Sequence, residues 1–297
     1  MANSQLNTNI THWNSPSFPW LAPAKLNLFL HITGRRPDGY HLLQTIFHFI
    51  DINDTLYFEV THDGEIRLSP SIENIANEDN IIVKAARLLQ TNYATSKGVN
   101  ITLKKRLPMG GGLGGGSSDA ATTLLALNKL WDINLSKDEL MKLGLSLGAD
   151  VPIFIFGHSA WAEGVGETLS RVRETSMEQK NWYLVIFPKI NVNTGAIFSS
   201  TELTRDKVPI KIRDFLNGAT ENVFESVVTE QYPPIREALD WLNQFADARL
   251  TGTGACIFAS FETEAEALKV AQQAPDKWQT FVASGCFTTQ IEKIYEN

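Results

Sequence analysis

The segment Pro108-Met109-Gly110-Gly111-Gly112-Leu113-Gly114-Gly115-Gly116-Ser117-Ser118 gathers six of the chain's 20 glycines into seven positions. Residues without side chains let backbone N–H groups approach an anion closely and adopt left-handed angles. An apolar repeat of helical period begins directly after the glycines, and the free N–H groups and positive dipole end of a helix point at any anion held there. Ser117 and Ser118 add hydroxyls suited to capping, to a phosphate oxygen or to a metal ion, with Ser118 the candidate metal contact. So many glycines raise the entropy lost on folding, a cost that a loop without a ligand has little reason to carry. The chemistry indicated is phosphate binding.

The type of phosphate loop is narrowed by what is missing. Gly111 and Gly116 have the spacing of a Walker A loop, but Ser117 stands where that loop needs lysine. Gly110, Gly112 and Gly115 satisfy the dinucleotide pattern. That pattern needs a parallel strand after the helix, ending in an acid about twenty residues on. A second helix is predicted there instead, opened by the capping box of Ser136 and Glu139 and closed near Gly148.

Other residues with chemical potential depend on the elements that carry them. Over residues 24–32 apolar and other side chains alternate, so a half-buried strand would show Lys25 and Asn27 on its polar face, about 7 Å apart. Taken alone, Lys25 reads as a solvated edge-strand lysine. Asp150 follows Gly148 at a helix end, where an isolated acid reads as a cap or turn residue. Pro37-Asp38-Gly39 marks a turn. Strands are predicted over residues 41–50, 55–60, 65–68, 99–103, 151–156, 182–187 and 280–283, and over 249–258 with an interruption at Thr251-Gly252-Thr253-Gly254. Helices are predicted over residues 79–93, 117–131, 136–148, 233–245 and 264–272. Elements mixed without a regular βαβ rhythm favour an α+β fold. Lys104-Lys105-Arg106 reads as a solvated charged face, and His48 and His158 as structural histidines.

The 297 residues suffice for two lobes, with a junction expected between residues 157 and 181. The divisions expected are a flexible extension over 1–19, a lobe over 20–165 carrying the phosphate loop, and a second lobe over 166–297. With 26 basic and 33 acidic residues the net charge is −7, which disfavours nucleic-acid binding but leaves room for a local phosphate site. Cys256 and Cys286 make neither a disulfide framework nor a zinc site. No apolar run approaches a membrane span, and the polar start does not resemble a signal peptide. A cytoplasmic protein is expected, as a monomer or weak homodimer.

Residues 108–118 resemble the phosphate loop of the GHMP family of small-molecule kinases, Pro-x-x-x-Gly-Leu-Gly-Ser/Gly-Ser-Ser. Pro23-Ala24-Lys25-Leu26-Asn27-Leu28 resembles the family's N-terminal motif, and Thr251-Gly252-Thr253-Gly254-Ala255-Cys256 its C-terminal glycine motif. Arg36-Pro37-Asp38-Gly39-Tyr40-His41, Leu147-Gly148-Ala149-Asp150-Val151-Pro152 and Ala162-Glu163-Gly164-Val165-Gly166-Glu167 are similar to one branch of that family, which phosphorylates the 2-hydroxyl of a cytidine diphosphate sugar alcohol. The likeness extends from about Trp20 to the last predicted strand.

The resemblance implies a two-lobed α+β fold with its active site between the lobes, ATP as phosphoryl donor and Mg²⁺ as its companion ion. It implies Asp150 as the catalytic aspartate and Lys25 as its partner. Pro108, Met109, Gly110, Gly111, Gly112, Leu113, Gly114, Gly115, Gly116, Ser117 and Ser118 would hold ATP. Tyr40, His41, Phe47 and Phe198 would meet the cytosine by stacking and hydrogen bonding, with Asn27 and Thr194 as polar contacts and Gly252 and Gly254 as backbone contacts. Stacking suits any base, so hydrogen bonding must choose cytosine, with His41 as the leading candidate. Asp119 and Glu163 are the acidic residues considered for the metal. Another kinase of the family, a dinucleotide-dependent oxidoreductase and an inactive nucleotide-binding module stay open as alternatives. A panel of alcohol acceptors with ATP separates the first, NAD binding the second and absence of turnover the third.

Overall fold

A computed structural model describes residues 12–72, 75–172 and 182–296. In chain order these form β1 (Trp20–Arg35), β2 (His41–Thr61), β3 (Ile66–Ser69), α1 (Ile81–Asn92), β4 (Gly98–Lys104), α2 (Gly115–Leu130), α3 (Lys137–Leu147) and α4 (Val151–Phe156). They continue with β5 (Ala160–Glu163), β6 (Thr168–Arg171), β7 (Trp182–Phe187), α5 (Thr194–Ser199), α6 (Ile212–Leu216), α7 (Glu225–Gln231) and α8 (Pro233–Leu242). The chain closes with β8 (Arg249–Leu250), β9 (Ile257–Phe261), α9 (Glu264–Ala271), β10 (Gln279–Cys286) and α10 (Gln290–Glu296). The α+β class follows directly.

The long antiparallel pair β1–β2 is the spine. Its turn is the expected one, with Gly39 at φ 92° donating its N–H to Arg36 O at 2.9 Å. Along its length β2 also pairs with β4, β5 and β10, and β10 leads on through β7 and β9 to β8. One sheet therefore runs through both lobes. The strands read separately over 41–50 and 55–60 are one strand, because the acids between them do not break the ladder: Asp54 is fully buried and paired within it.

Three apolar clusters meet along β1. Trp20 and Ala22 pack with α1 to α4 and with Ile291 and Ile294 of α10. Ala24, Leu26 and Leu28 pack with Tyr183, Val185 and Phe258 at the junction, while Leu30 and Ile32 enter the second lobe beside α7 and α8. This crossing corrects the half-buried reading of the strand. Both faces are covered, and Lys25 and Asn27 are each only 3% exposed.

The apolar run at 151–156 is helix α4 rather than a strand. A short run of apolar residues carries no period that separates the two, and here α4 packs against α2 and α3. Pro152 sits in its first turn, where the missing N–H costs nothing, and Gly157 ends it at φ 76°. Of the expected extension, residues 1–11 lie outside the described residues, but Phe18 is buried against Trp20 and Trp13 packs on the first cluster. Of the expected junction, residues 173–181 lie outside the described residues.

Candidate active site

The glycine loop spans from the end of β4 to the start of α2 and is held from both lobes. Gly110, Gly112 and Gly114 take φ of 68°, 75° and 74°, angles that L-residues rarely adopt. Ala255 N–H donates to Gly110 O at 3.1 Å and Cys256 N–H to Gly111 O at 3.0 Å, while Lys25 N–H on β1 donates to Leu113 O at 3.0 Å. Gly112 lies so close to the 251–254 turn that a Cβ there would run into Thr251 O and come within 2.9 Å of Gly254 O. Gly114 caps α2 in the left-handed region without a side-chain contact. Gly115, Gly116 and Ser117 then turn the unpaired N–H groups of a 16-residue helix toward a cleft of about 650 Å³. Ser117 lines that cleft, whereas Ser118 is fully buried and its Oγ has no hydrogen-bond partner.

Lys25 lies at the floor of the cleft. Its Nζ donates to Asn27 Oδ1 at 2.7 Å and to Gly112 O at 2.9 Å, and stands 3.5 Å from Asp150 Oδ2. An ammonium has three donors, so these partners set its position completely. Asn27 is fixed in turn: its Nδ2 donates to Thr45 Oγ1 at 3.0 Å and its main-chain N–H to Thr251 Oγ1 at 3.0 Å. The Asn27 amide thus bonds Lys25 and Thr45, and the residue lines the cleft with one amide hydrogen beyond these contacts. Phe47 is also at this floor, 5.5 Å beneath Lys25 Nζ, because the β1–β2 register sets it opposite Asn27. Asp150 begins α4 with its side chain 38% exposed, open to whatever enters.

A second pocket of about 680 Å³ adjoins the first and shares Leu43, Ala149, Val165 and Phe198 with it. Tyr40, 63% exposed, and His41 form one wall. Phe198 faces His41 with ring centres 5.1 Å apart and is backed edge-on by Phe224. Burial, then the charges of Arg205 and Arg35, hold His41 below the usual imidazole pKa. Thr194, Gly252 and Gly254 line the first pocket, with Thr194 Oγ1 3.0 Å from Thr253 Oγ1. The expected site residues therefore divide between two connected chambers, with Lys25 and Asp150 in the first.

The pattern of the basic run before the loop predicts a solvated face, and Lys105 departs from it. Its Nζ is 2.5 Å from Asp54 Oδ2 and 2.8 Å from Asp119 Oδ2. Asp54 also accepts the N–H groups of Arg106 and Leu107 at 2.6 and 2.8 Å, so this cluster ties the exit of β4 to the first turn of α2. The signal was an acid, Asp119, within the apolar repeat of a buried helix. Burial works against the Lys105 charge, but the two carboxylates outweigh it and raise its pKa. Burial pushes Asp119 up to about 7, helped by the like charge of Asp54 and opposed by Lys105, and its Oδ1 has no partner.

A pH dependence follows. An acid whose pKa is higher in the folded chain keeps its proton there after the unfolded chain has lost it, so stability falls between the unfolded value near 4 and about 7. Asp119→Asn removes that fall. Thermal melts should find the variant close to the parent at pH 5 and more stable at pH 8, by a few kcal/mol at most. Equal differences at both pH values would show that Asp119 does not titrate in this range.

His48 and His158 are structural, as expected. His48 Nδ1 is 3.0 Å from Ser159 Oγ and burial lowers its pKa to about 4; His158 Nε2 is 3.4 Å from Glu292. Among the described residues no group of three or more His, Cys, Asp or Glu side chains is placed to hold a metal ion, and no helix is long and apolar enough to cross a membrane.

A glycine loop at a helix start, closed by a second glycine turn and set over a lysine–aspartate pair, defines a small-molecule kinase site. Residues 80–158 match the GHMP kinases N terminal domain and residues 203–280 the GHMP kinases C terminal domain; the chain belongs to the GHMP kinase family. A relative from Pseudomonas paraeruginosa, named 4-diphosphocytidyl-2-C-methyl-D-erythritol kinase, is 53% identical over 93% of this chain and 96% of its own length. One from Nitrosococcus oceani with the same name is 52% identical over 90% and 94%. A crystal structure of 4-(cytidine 5'-diphospho)-2C-methyl-D-erythritol kinase superposes with a TM-score of 0.76 at 29% identity, covering 90% of this chain and 98% of that one. A mevalonate kinase structure, TM-score 0.63 at 17% identity over 91% and 99%, shares the fold.

Proposed function

We propose that the protein transfers the γ-phosphoryl group of ATP to the 2-hydroxyl of 4-(cytidine 5'-diphospho)-2-C-methyl-D-erythritol, giving the 2-phosphate and ADP in the non-mevalonate route to isoprenoid precursors. The observation that carries the reading is the Lys25–Asp150 pair, 3.5 Å apart where the phosphate loop's cleft opens into the aromatic pocket. Relatives more than half identical over nearly their whole length, all named for this activity, support the choice of substrate.

In this reading the glycine loop and the first turn of α2 hold the phosphates through backbone N–H groups, so the overall charge of −7 is no obstacle. The pyrimidine enters the second pocket and the sugar alcohol spans the opening between the two. Asp150 accepts a hydrogen bond from the attacking hydroxyl and takes its proton late, because a loose phosphoryl-transfer transition state does not require early deprotonation. Lys25, fixed by Asn27 and Gly112, stands 3.5 Å from Asp150 and offsets charge developing nearby.

Mg²⁺ would accompany ATP, and among the described residues no acidic cluster is placed to hold it independently of the nucleotide. Ser117 and Asp119 are the oxygen donors lining the cleft at the loop; the expected Ser118 is buried beside them with an unpaired Oγ. When bound, the ion would neutralise phosphate charge. We assign the protein to the cytoplasm on its cysteine usage.

ADP release with ATP and a panel of acceptors tests the reading. The cytidine diphosphate alcohol should support turnover, while the free sugar alcohol, mevalonate, homoserine and galactose should not. Comparable turnover with any of these would reassign the substrate. His41→Ala should raise KM for the cytidine substrate at least about tenfold and leave KM for ATP within about twofold. Equal changes in both constants would remove His41 from the pyrimidine site.

A further inference from the structure

The second pocket contains an arginine that no motif singled out. Arg205 donates from Nη1 to Leu203 O at 2.9 Å and from Nη2 to Phe198 O at 2.8 Å and Ser200 O at 2.6 Å, so three main-chain carbonyls fix the guanidinium. Its Nε–H then meets Nε2 of His41 at 3.2 Å. A guanidinium keeps its protons and offers no acceptor, so this contact has one polarity, and Nε2 must accept.

An imidazole that accepts at Nε2 is neutral and carries its proton on Nδ1. The lowered pKa of His41 agrees with that state. Among the described residues Nδ1 makes no hydrogen bond, which leaves its N–H for a ligand in the pocket that Tyr40 and Phe198 wall.

Cytosine and uracil share their ring and their O2, so stacking on Phe198 does not separate them. They differ at N3, an acceptor in cytosine and an N–H donor in uracil. We infer that Arg205 is a positioning residue for pyrimidine choice: by occupying Nε2 it makes His41 an Nδ1–H donor, which pairs with N3 of cytosine and opposes the N3–H of uracil. The inference rests on the reading above that this pocket takes the cytidine end of the substrate. A donor facing a donor leaves both unpaired when water is excluded, which is how a polar contact rejects a near-isostere more strongly than an apolar one does.

The test compares kcat/KM for the cytidine and uridine forms of the diphosphate alcohol. Arg205→Met should reduce the preference for cytidine at least about tenfold while KM for ATP stays unchanged. Equal losses with both nucleotides, preference intact, would make Arg205 a structural residue and overturn the inference. Nitrogen-15 NMR of the His41 ring in the unmodified protein needs neither a variant nor turnover. Nδ1 protonated and Nε2 unprotonated at neutral pH is the expected signature, and a proton on Nε2 would refute it. Should neither nucleotide alcohol be phosphorylated, the substrate reading fails, while the ring spectrum still decides what Arg205 does to His41.

Discussion

Asp150→Asn lowers kcat by about a thousandfold while the affinity for ATP stays within about threefold. The amide is nearly isosteric but is not a base, so it removes the acceptor for the hydroxyl proton and leaves the shape of the cleft. Nothing that grips the phosphates is touched, because the loop is held by Ala255, Cys256 and Lys25 rather than by Asp150. Lys25 keeps two of its three partners, Asn27 and Gly112. With its side chain 38% exposed, Asp150 contributes little to stability, so the melting temperature should stay nearly unchanged. Steady-state kinetics with a separate measurement of ATP binding checks this. Turnover within about tenfold of the parent, about 1.4 kcal/mol, would show that Asp150 is not the base.

Gly112→Ala is the second large effect, and it works through the backbone. At φ 75° an L-residue is strained by about 1–2 kcal/mol before any contact is considered. The added Cβ would also meet Thr251 O and stand within 2.9 Å of Gly254 O, both main-chain atoms that cannot rotate away. Relief requires the loop and the 251–254 turn to separate. That would move Gly112 O off Lys25 Nζ and loosen the backbone cradle together. kcat/KM for ATP should fall at least about a hundredfold, with a lower melting temperature. Gly116→Ala is the control for stability, since the nearest atom to its Cβ, Ile81 Cγ2, is 3.9 Å away. Melting temperatures that fall equally for both would show that glycine content, rather than the contact at Gly112, sets the effect.

What the sequence made legible is chemistry carried by short contiguous segments. The loop at 108–118 could be read because glycines before a helix have few structural uses. Its N-terminal lysine and following aspartate came from motif resemblance, since an isolated lysine or helix-end acid carries no distinguishing pattern. Residues fixed by distant partners stayed hidden. Arg205 matters through His41, 164 positions away, and Lys105 through Asp54 and Asp119, which no local period connects. Asn27 shows the same limit: alternation put it beside Lys25, but only the fold shows its side chain bonded to Lys25 and Thr45 and its main-chain N–H to Thr251.

Phosphorus-31 NMR of protein, Mg²⁺-ATP and the cytidine diphosphate alcohol tests the central claim most directly, because it reads the fate of each phosphate. The Lys25–Asp150 cleft predicts loss of the γ-phosphorus of ATP, appearance of ADP, and one new phosphomonoester on the 2-hydroxyl with the cytidine diphosphate linkage intact. ATP left unchanged, or converted to ADP and inorganic phosphate without the new ester, would contradict it.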